Sequence, residues 1–256
     1  PMAGCWLSMA KERVIDVPAG LVDGAIAPEM AHAEIARRVM DEGQLLVLKD
    51  AFPDAAVSAL RSAVADWGRE IPPADTDDFR GNYHRRRAMV SRLQQAPHVF
   101  HDYNFHDFAA LPPPLADKLR GLFEQLRGLY NELTGQDVRF ELPQTGPYVH
   151  PQLIHYPSGG GFFARHWHNL HPQKLGFIVS LAKRGRDYRS GGTCFAIDGE
   201  IVDMEARHDI GDICVWRYDH PHWVTQSDLQ DKFDWTSDAG RWVATFAYFD
   251  PQAPAA

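Results

Sequence analysis

The spacing of apolar residues divides the chain into a helical N-terminal region and a strand-rich C-terminal region. Apolar residues recur at helical spacing in 28–43, 53–67 and 115–133, and the leucines of the last segment form a continuous stripe. Gly43 lies at the end of the first segment and Gly135 shortly after the last, as is typical of helix ends. Residues 45–48 form a short apolar run, which predicts a fully buried strand.

Two long segments lack a regular period. Residues 1–27 are interrupted by Pro18 and Gly20, and residues 71–112 are rich in proline, aspartate, histidine and arginine. We predict irregular structure in both, and a long loop such as 71–112 is a candidate lid. Residues 84–87 read His-Arg-Arg-Arg, for which two interpretations remain open: a clamp for an anionic substrate group or a solvated loop.

Short β-branched and aromatic runs, separated by turn residues, follow the last predicted helix. Helices followed by strands favour a mainly β protein with bracing helices (α+β), in which the helices pack on one face of a sandwich or barrel. With no linker or repeat in view, we predict a single domain over 1–256, in which residues 1–137 are mainly helical and residues 138–250 form a β core. The predicted strands of the core are 138–142, 152–156, 162–168, 175–181, 193–197, 213–217 and 242–249.

Composition narrows the class of function. The formal charge of −8 argues against a partner that is nucleic acid or an anionic membrane. No apolar run approaches the roughly 18 residues that a membrane span needs, and no signal peptide is recognisable. Three scattered cysteines predict no disulfide framework and suit a cytoplasmic protein. The 13 histidines are many for this length, and they raise the expectation of a metal.

Two histidines in the predicted strand 162–168 are candidate metal ligands. His166 and His168 are separated by one residue, so their side chains share one face of an extended strand. This arrangement suits chelation, although one core and one surface histidine would fit the same spacing. A third ligand would come from 211–224, where His220 and His222 also share a face if the chain is extended. Spacing alone does not choose between these two.

Arg241 is the second candidate for chemistry. It begins the last predicted strand and shares a face with Val243 and Thr245. Burial of a guanidinium beside apolar residues is costly unless it meets an anion. The alternative is an edge arginine that remains in solvent.

The order of these features carries a resemblance over 152–250 to the prolyl-hydroxylase branch of the Fe(II)- and 2-oxoglutarate-dependent oxygenases. In that family a tyrosine and a Gly-rich turn precede His-x-Asp. Gly-Gly, Gly-Asp, an aromatic strand, a distal histidine and a basic residue on the last strand follow. The resemblance implies a double-stranded β-helix, which is an eight-stranded antiparallel jelly-roll (cupin-like), with helices bracing one sheet. The corresponding residues are Tyr156-Pro157, Gly159 to Gly161, His166-Trp167-His168, Gly191-Gly192-Thr193, Gly211-Asp212, Trp216, Pro221-His222, Arg241 and the ending Ala247 to Asp250.

The resemblance also implies a metal site and a reaction. It assigns His166, His168 and His222 to Fe(II), leaves His220 outside the motif, and keeps His171 only as a fallback ligand. It implies 2-oxoglutarate as cosubstrate and O2 as substrate. The expected reaction is oxidation, such as hydroxylation, of a C–H bond in a small molecule or amino-acid derivative. We expect loop 71–112 and the insertion 226–240 to cover that substrate; the sequence specifies no oligomeric state.

Four further residues are implied to bind the cosubstrate. Arg241 matches the residue that grips the distal carboxylate of 2-oxoglutarate, and Tyr156 matches a tyrosine that contacts the cosubstrate. Ser180 falls near another cosubstrate-binding position, and Thr245 adds a hydroxyl on the same face as Arg241. No catalytic side chain is implied beyond the metal ligands.

The metal motif departs from the family at one position, where His168 replaces the aspartate. The usual site of non-heme iron oxygenases has two histidines and one carboxylate, whereas this one would have three neutral imidazoles. Two alternatives therefore stay open. The first is a three-histidine oxygenase that does not use 2-oxoglutarate, in which Arg241 holds a carboxylate of the substrate. The second is a non-catalytic member that binds zinc, because three histidines also suit that ion.

Overall fold

The computed structural model describes residues 12–75, 81–89, 96–140 and 148–249. Within these residues, helices and strands are mixed up to residue 134, and only strands follow. The helices are α1 (His32–Met40), α2 (Asp54–Glu70) and α3 (Pro113–Thr134), with a 3-10 turn at Phe108–Ala110. The strands are β1 (Val14–Pro18), β2 (Leu21–Val22), β3 (Ala25–Ile26), β4 (Leu45–Lys49), β5 (Tyr83–Met89), β6 (His98–Asn104), β7 (Tyr148–Pro157), β8 (Gly161–His166), β9 (Leu175–Ser180), β10 (Gly192–Ile197), β11 (Glu200–Asp203), β12 (Ile213–Arg217), β13 (His222–Ser227) and β14 (Gly240–Phe249).

The strands β7 to β14 form an eight-stranded antiparallel jelly-roll in two layers. One layer has the strand order β12-β9-β14-β7, and the other has the order β8-β13-β10-β11. Strand β6 joins the layers, because residues 101–104 pair with β7 and residues 98–99 pair with β8. This arrangement confirms the predicted fold class of a mainly β protein with a double-stranded β-helix core.

The first layer is buried on both faces, which explains its continuous apolar runs. In β4, Leu46 and Leu48 pack towards the helices, whereas Leu45 and Val47 pack between the two layers. Strand β12 alternates in the same way, with Ile213 on the helix side. The three helices therefore cover one face of this layer, and the opposite face lines the interior of the jelly-roll.

The predicted helices and most core strands are confirmed, with shifted ends. The helix predicted at 28–43 begins later, at His32, and the one predicted at 53–67 continues to Glu70. The third helix ends at Gly135, which adopts a left-handed conformation with φ 67°. Of the strand predicted at 138–142, only Arg139 forms an isolated bridge, and residues 141 and 142 lie outside the described residues.

The prediction of irregular structure in 1–27 and 71–112 is wrong for the described segments that form strands, and it holds for shorter segments such as 71–75 and 105–107. Residues 14–18 form β1, which pairs in parallel with β4. In the predicted loop, β5 and β6 form an antiparallel pair that joins the same sheet. These strands carry polar residues on both faces because the residues find partners across the pair, as Arg85 does with Asp102. The N-terminal region, predicted to be mainly helical, therefore adds strands to the jelly-roll sheet in addition to the helices that pack against it.

The described residues bear on two features of the sequence, its membrane-spanning potential and its cysteines. None of their helices combines the length and apolarity needed to cross a lipid bilayer. Cys194 and Cys214 are both buried and both free thiols.

Candidate metal centre

The three predicted metal ligands lie together at one end of the second layer. His166 is the last residue of β8, and His222 is the first residue of β13, directly opposite it in register. His168 follows two residues beyond the end of β8. One ring nitrogen from each histidine lies within 4.8 Å of the others. The strand register therefore decides between His220 and His222, which spacing had left open.

Hydrogen bonds orient two of the three imidazoles. Nδ1 of His166 donates to the carbonyl oxygen of Ala164 at 2.8 Å, and Nδ1 of His222 donates to that of His220 at 2.8 Å. A neutral imidazole that donates from Nδ1 keeps its lone pair on Nε2, as metal-ligating histidines do. His168 is fixed differently, because its ring stacks on Tyr218 with centroids 4.2 Å apart and an interplanar angle of 8°.

The environment keeps all three imidazoles neutral. Burial, and then the nearby His166, lower the pKa of His168 to about 4. The same two causes lower the pKa of His222 well below 6.5, and burial lowers the pKa of His166. Only the neutral form can bind a metal, so all three imidazoles are in the protonation state in which they would hold a divalent ion.

A cavity of about 210 Å³ adjoins the three histidines inside the jelly-roll. Its wall is mainly apolar, and Phe163 stacks on His166 with centroids 3.9 Å apart. Trp216 lines it with a buried Nε1–H that has no hydrogen-bond partner among the described residues. A bound ligand could accept from that donor. The remaining lining residues are Gln152, Ile154, Tyr156, Ile178, Thr193, Tyr218, Val224, Val243, Thr245, Phe246 and Ala247.

Arg241 is fully buried and does not itself line this cavity, although it bonds to the lining residue Thr193; it meets an anion of the protein itself. Its Nε donates to Oε1 of Glu205 at 2.7 Å, and its Nη2 donates to the hydroxyl of Thr193 at 2.8 Å. Nη1 is buried and has no hydrogen-bond partner among the described residues. Burial would lower the pKa of Arg241, but Glu205 outweighs burial and raises it further above its usual range. One donor group of the guanidinium thus remains for a ligand.

The other predicted cosubstrate residues divide into two groups. Tyr156 lines the cavity, lies 5.9 Å from the Arg241 guanidinium, and stays a neutral phenol because burial raises its pKa. Thr245 also lines the cavity, although its hydroxyl donates to the carbonyl of Phe177 at 2.7 Å. Ser180 is fully buried, donates to the carbonyl of Ala182 at 2.9 Å, and does not line the cavity that the described residues form.

The remaining histidine candidates lie away from the triad nitrogens. His220 hydrogen-bonds through Nε2 to the carbonyl of Gly43 at 3.0 Å. His171 is exposed on the surface. The triad consisting of His166, His168 and His222 is the one group of potential metal-binding side chains found among the described residues.

The basic segment 84–87 is divided between the two faces of β5. Arg85 and Arg87 face the buried carboxylate of Asp102, at 3.3 Å and 3.8 Å, and Asp102 also accepts from Gln152 in the cavity wall at 3.4 Å. His84 faces the opposite side. Only Arg85 and Arg87 could therefore form a clamp for an anionic substrate group, and both already face the carboxylate of Asp102.

The insertion 226–240 lies at the wrong end of the jelly-roll to cover the triad. Strands β8 and β13 run from the His166–His222 pair to the Gly161–Ser227 pair, and the insertion follows that second pair. It is fixed there by Asp228, which accepts hydrogen bonds from Ser158 and from the backbone of Ser190. The expectation that this segment covers the substrate at the metal is therefore not met.

Two residues of the site were not found by sequence reasoning. Glu205 and Tyr218 lie outside every motif used, and they contact Arg241 and His168 respectively. Gly192 offered the only signal for Glu205. A Cβ on this glycine (φ 151°) would lie 1.6 Å from Cγ of Glu205, so the second glycine of the Gly-Gly pair makes room for that side chain.

No protein-family model and no curated protein sequence matches the chain. Among solved structures it is similar to a Pseudomonas putida prolyl-4-hydroxylase (14% identity, TM-score 0.54, covering 86% of this chain and 99% of that chain). A Trichoplax adhaerens prolyl hydroxylase in complex with a hypoxia inducible factor peptide is similar too (14%, TM-score 0.55, 86% and 90%). So is SnoN, a non-heme alpha ketoglutarate dependent epimerase from nogalamycin biosynthesis (11%, TM-score 0.53, 86% and 82%). The chain therefore has the fold of the 2-oxoglutarate-Fe(II) oxygenases, as its resemblance to the prolyl-hydroxylase branch predicted.

Proposed function

We propose that this protein is a non-heme Fe(II)-dependent oxygenase that uses 2-oxoglutarate and O2 to oxidise a C–H bond of a small molecule or amino-acid derivative. The observation that carries the proposal is the convergence of three oriented imidazoles on one interior cavity of a double-stranded β-helix. His166, His168 and His222 would hold the ion. Bound Fe(II) would supply the oxygen activation that no side chain can perform.

The residues around the cavity have distinct roles in this proposal. Nη1 of Arg241 would donate to the distal carboxylate of 2-oxoglutarate from behind the cavity wall, with Tyr156 next to the guanidinium and Thr245 further along the cavity. Ser180 is dropped from this group, because its hydroxyl is engaged away from the cavity. Apolar side chains such as Ile178 and Val243 would exclude water from the reacting atoms.

The size of the cavity supports a small substrate. A volume of about 210 Å³ accommodates a small molecule or a single side chain. The similar proteins act in different contexts, since one is a complex with a peptide and another belongs to nogalamycin biosynthesis. We also propose a reducing, cytoplasmic setting, which the two buried free thiols suit.

A second candidate function has a specific observation in its favour. Glu205 already pairs with Arg241, so the guanidinium is only partly available to a cosubstrate. Together with the third imidazole, this pairing favours a three-histidine oxygenase that does not need 2-oxoglutarate. In that case the substrate itself would bind next to the metal.

Calorimetry separates the two candidates. We expect the Fe(II) protein, kept free of O2, to bind 2-oxoglutarate, and on admission of O2 with a substrate to form succinate in step with oxidised product. Stoichiometric Fe(II) and O2 uptake without 2-oxoglutarate binding would instead establish the second candidate. Binding of zinc without any O2 uptake would reject both and leave a metal-binding protein without oxygen chemistry.

A further inference from the structure

A buried ion pair joins Arg241, which the proposed function assigns to the cosubstrate, to Glu205, to which the proposed function gives no role. The side chains of Arg241 and Glu205 are both 0% exposed, and their atoms approach to 2.7 Å. Glu205 also accepts from the backbone N–H of Thr193 at 2.9 Å and from the hydroxyl of Tyr188. These groups hold one carboxylate in place, although burying an ion pair generally gives little net stability.

The pair stays charged in this environment. Burial would raise the pKa of Glu205, but Arg241, His208 and hydrogen bonds from Tyr188 and Thr193 outweigh burial and lower it. The carboxylate therefore cancels most of the positive charge that Arg241 would otherwise present to a ligand.

The metal ligand set lacks the negative charge of the usual carboxylate ligand, and the carboxylate of Glu205 could supply an equal charge elsewhere in the interior. A facial triad of two histidines and one carboxylate places one negative charge on a divalent ion. The three neutral imidazoles found here place none. A divalent ion, a dianionic cosubstrate and Arg241 would consequently retain one surplus positive charge inside a low-dielectric interior.

We infer that Glu205 supplies, at Arg241, the negative charge that His168 removes from the metal ligand set. The interior would then be electrically neutral when the metal and a dicarboxylate are bound. This inference rests on the proposed function, because it takes 2-oxoglutarate as the dicarboxylate. It makes Glu205 a residue that sets cosubstrate affinity through Arg241 without touching the reacting atoms.

The test uses the isosteric variant Glu205→Gln and a dicarboxylate that cannot chelate. Glutarate has the two carboxylates of 2-oxoglutarate but lacks the 2-oxo group, so in metal-free protein it reports on the Arg241 end alone. We expect Glu205→Gln to bind glutarate about tenfold more tightly than the natural chain. Tyr188→Phe removes a hydrogen bond to Glu205 without changing charge, and we expect it to change this affinity by less than about twofold.

The compensation itself is tested on the Fe(II) protein without O2. His168→Asp alone should weaken 2-oxoglutarate binding about tenfold, and His168→Asp combined with Glu205→Gln should bring it back near the natural value. Unchanged glutarate and 2-oxoglutarate affinities in Glu205→Gln would overturn the inference and leave the carboxylate a structural group.

The outcomes separate the inference from the proposed function. If the natural Fe(II) protein does not bind 2-oxoglutarate while Glu205→Gln gains glutarate binding, the function fails and the role of Glu205 stands. If Glu205→Gln is too unstable to purify, its melting temperature in crude extract with and without glutarate gives the same answer. A larger glutarate-induced rise than in the natural chain supports the inference, and an equal rise contradicts it.

Discussion

Two histidine clusters in this protein differ in what their ring nitrogens can still do. In the triad of His166, His168 and His222, Nδ1 bonds to backbone carbonyls leave the Nε2 lone pairs of His166 and His222 beside a cavity, and His168 is fixed by stacking on Tyr218. The second cluster, defined here as His84, His101 and Tyr103, lies on the helix side of β5 and β6.

Hydrogen bonds consume every nitrogen of the second cluster. The tyrosine hydroxyl donates to Nδ1 of His101 at 3.2 Å, and Nε2 of His101 donates to Nδ1 of His84 at 2.6 Å. Nε2 of His84 then donates to the carbonyl of Ile71 at 3.0 Å. No lone pair is left for an ion, so the cluster is structural. Satisfaction of the nitrogens, rather than the density of histidines, separates a candidate site from a core network.

The largest expected effect is a loss of metal affinity at the triad. His222→Ala removes one ligand nitrogen and should lower the affinity for Co(II) or Fe(II) by more than about 100-fold, because even outer-shell losses cost 10–100-fold. His220→Ala is the matched control, since His220 bonds to Gly43 and only its backbone carbonyl supports His222. Equal metal affinity in the two variants would contradict the proposed site.

The second effect concerns the structural cluster. His101→Phe keeps an aromatic ring against Tyr103 but leaves the hydroxyl of Tyr103 and Nδ1 of His84 without their partner. We expect a loss of about 2–3 kcal/mol in the free energy of unfolding, measured by urea titration, with metal affinity unchanged.

His98→Phe is the matched control for His101→Phe. His98 is equally buried, but its only hydrogen bond among the described residues runs from Nδ1 to the carbonyl of Ala96. We expect this variant to lose less stability than His101→Phe. A greater loss would show that ring packing, rather than hydrogen bonding, stabilises these histidines.

A smaller effect is expected at the third triad ligand. Tyr218→Leu removes the ring that stacks on His168 but leaves all three ligand nitrogens. We expect metal affinity to fall only a few-fold, since the ligand is misoriented rather than lost. A 100-fold loss in the same metal titration would mean that Tyr218 binds the ion or its water directly.

A further expected effect is a change in the pH dependence of stability. Burial, and then the neighbouring His84, lower the pKa of His101 to about 2, against 6.5 in the unfolded chain. The unfolded state therefore binds more protons below pH 6.5, and the stability that neutral His101 contributes is lost as the pH falls from there towards 2. Urea titrations at pH 7 and pH 5 should show a smaller acid loss in His101→Phe than in the natural chain. Identical losses would exclude His101 as a contributor.

Local pattern was sufficient for most jelly-roll strands but not for β11, for β13 or for the hairpin of β5 and β6. Continuous apolar runs mark strands that are buried on both faces, such as β4 and β12. In β5 and β6 the buried residues include His84, His101 and Asp102, which become tolerable only when paired across the hairpin, Asp102 with the half-buried Arg85. A one-dimensional pattern cannot contain that pairing.

The sequence by itself determined that His166 and His168 leave one strand in nearly the same direction and that Arg241 lies in phase with Val243 and Thr245. Both follow from the period of an extended chain. The tertiary structure alone decided that His222 stands opposite His166 and that Glu205 reaches Arg241. Strand register and buried charge pairing join residues far apart in the chain, and their free energy exists only once the layers have closed.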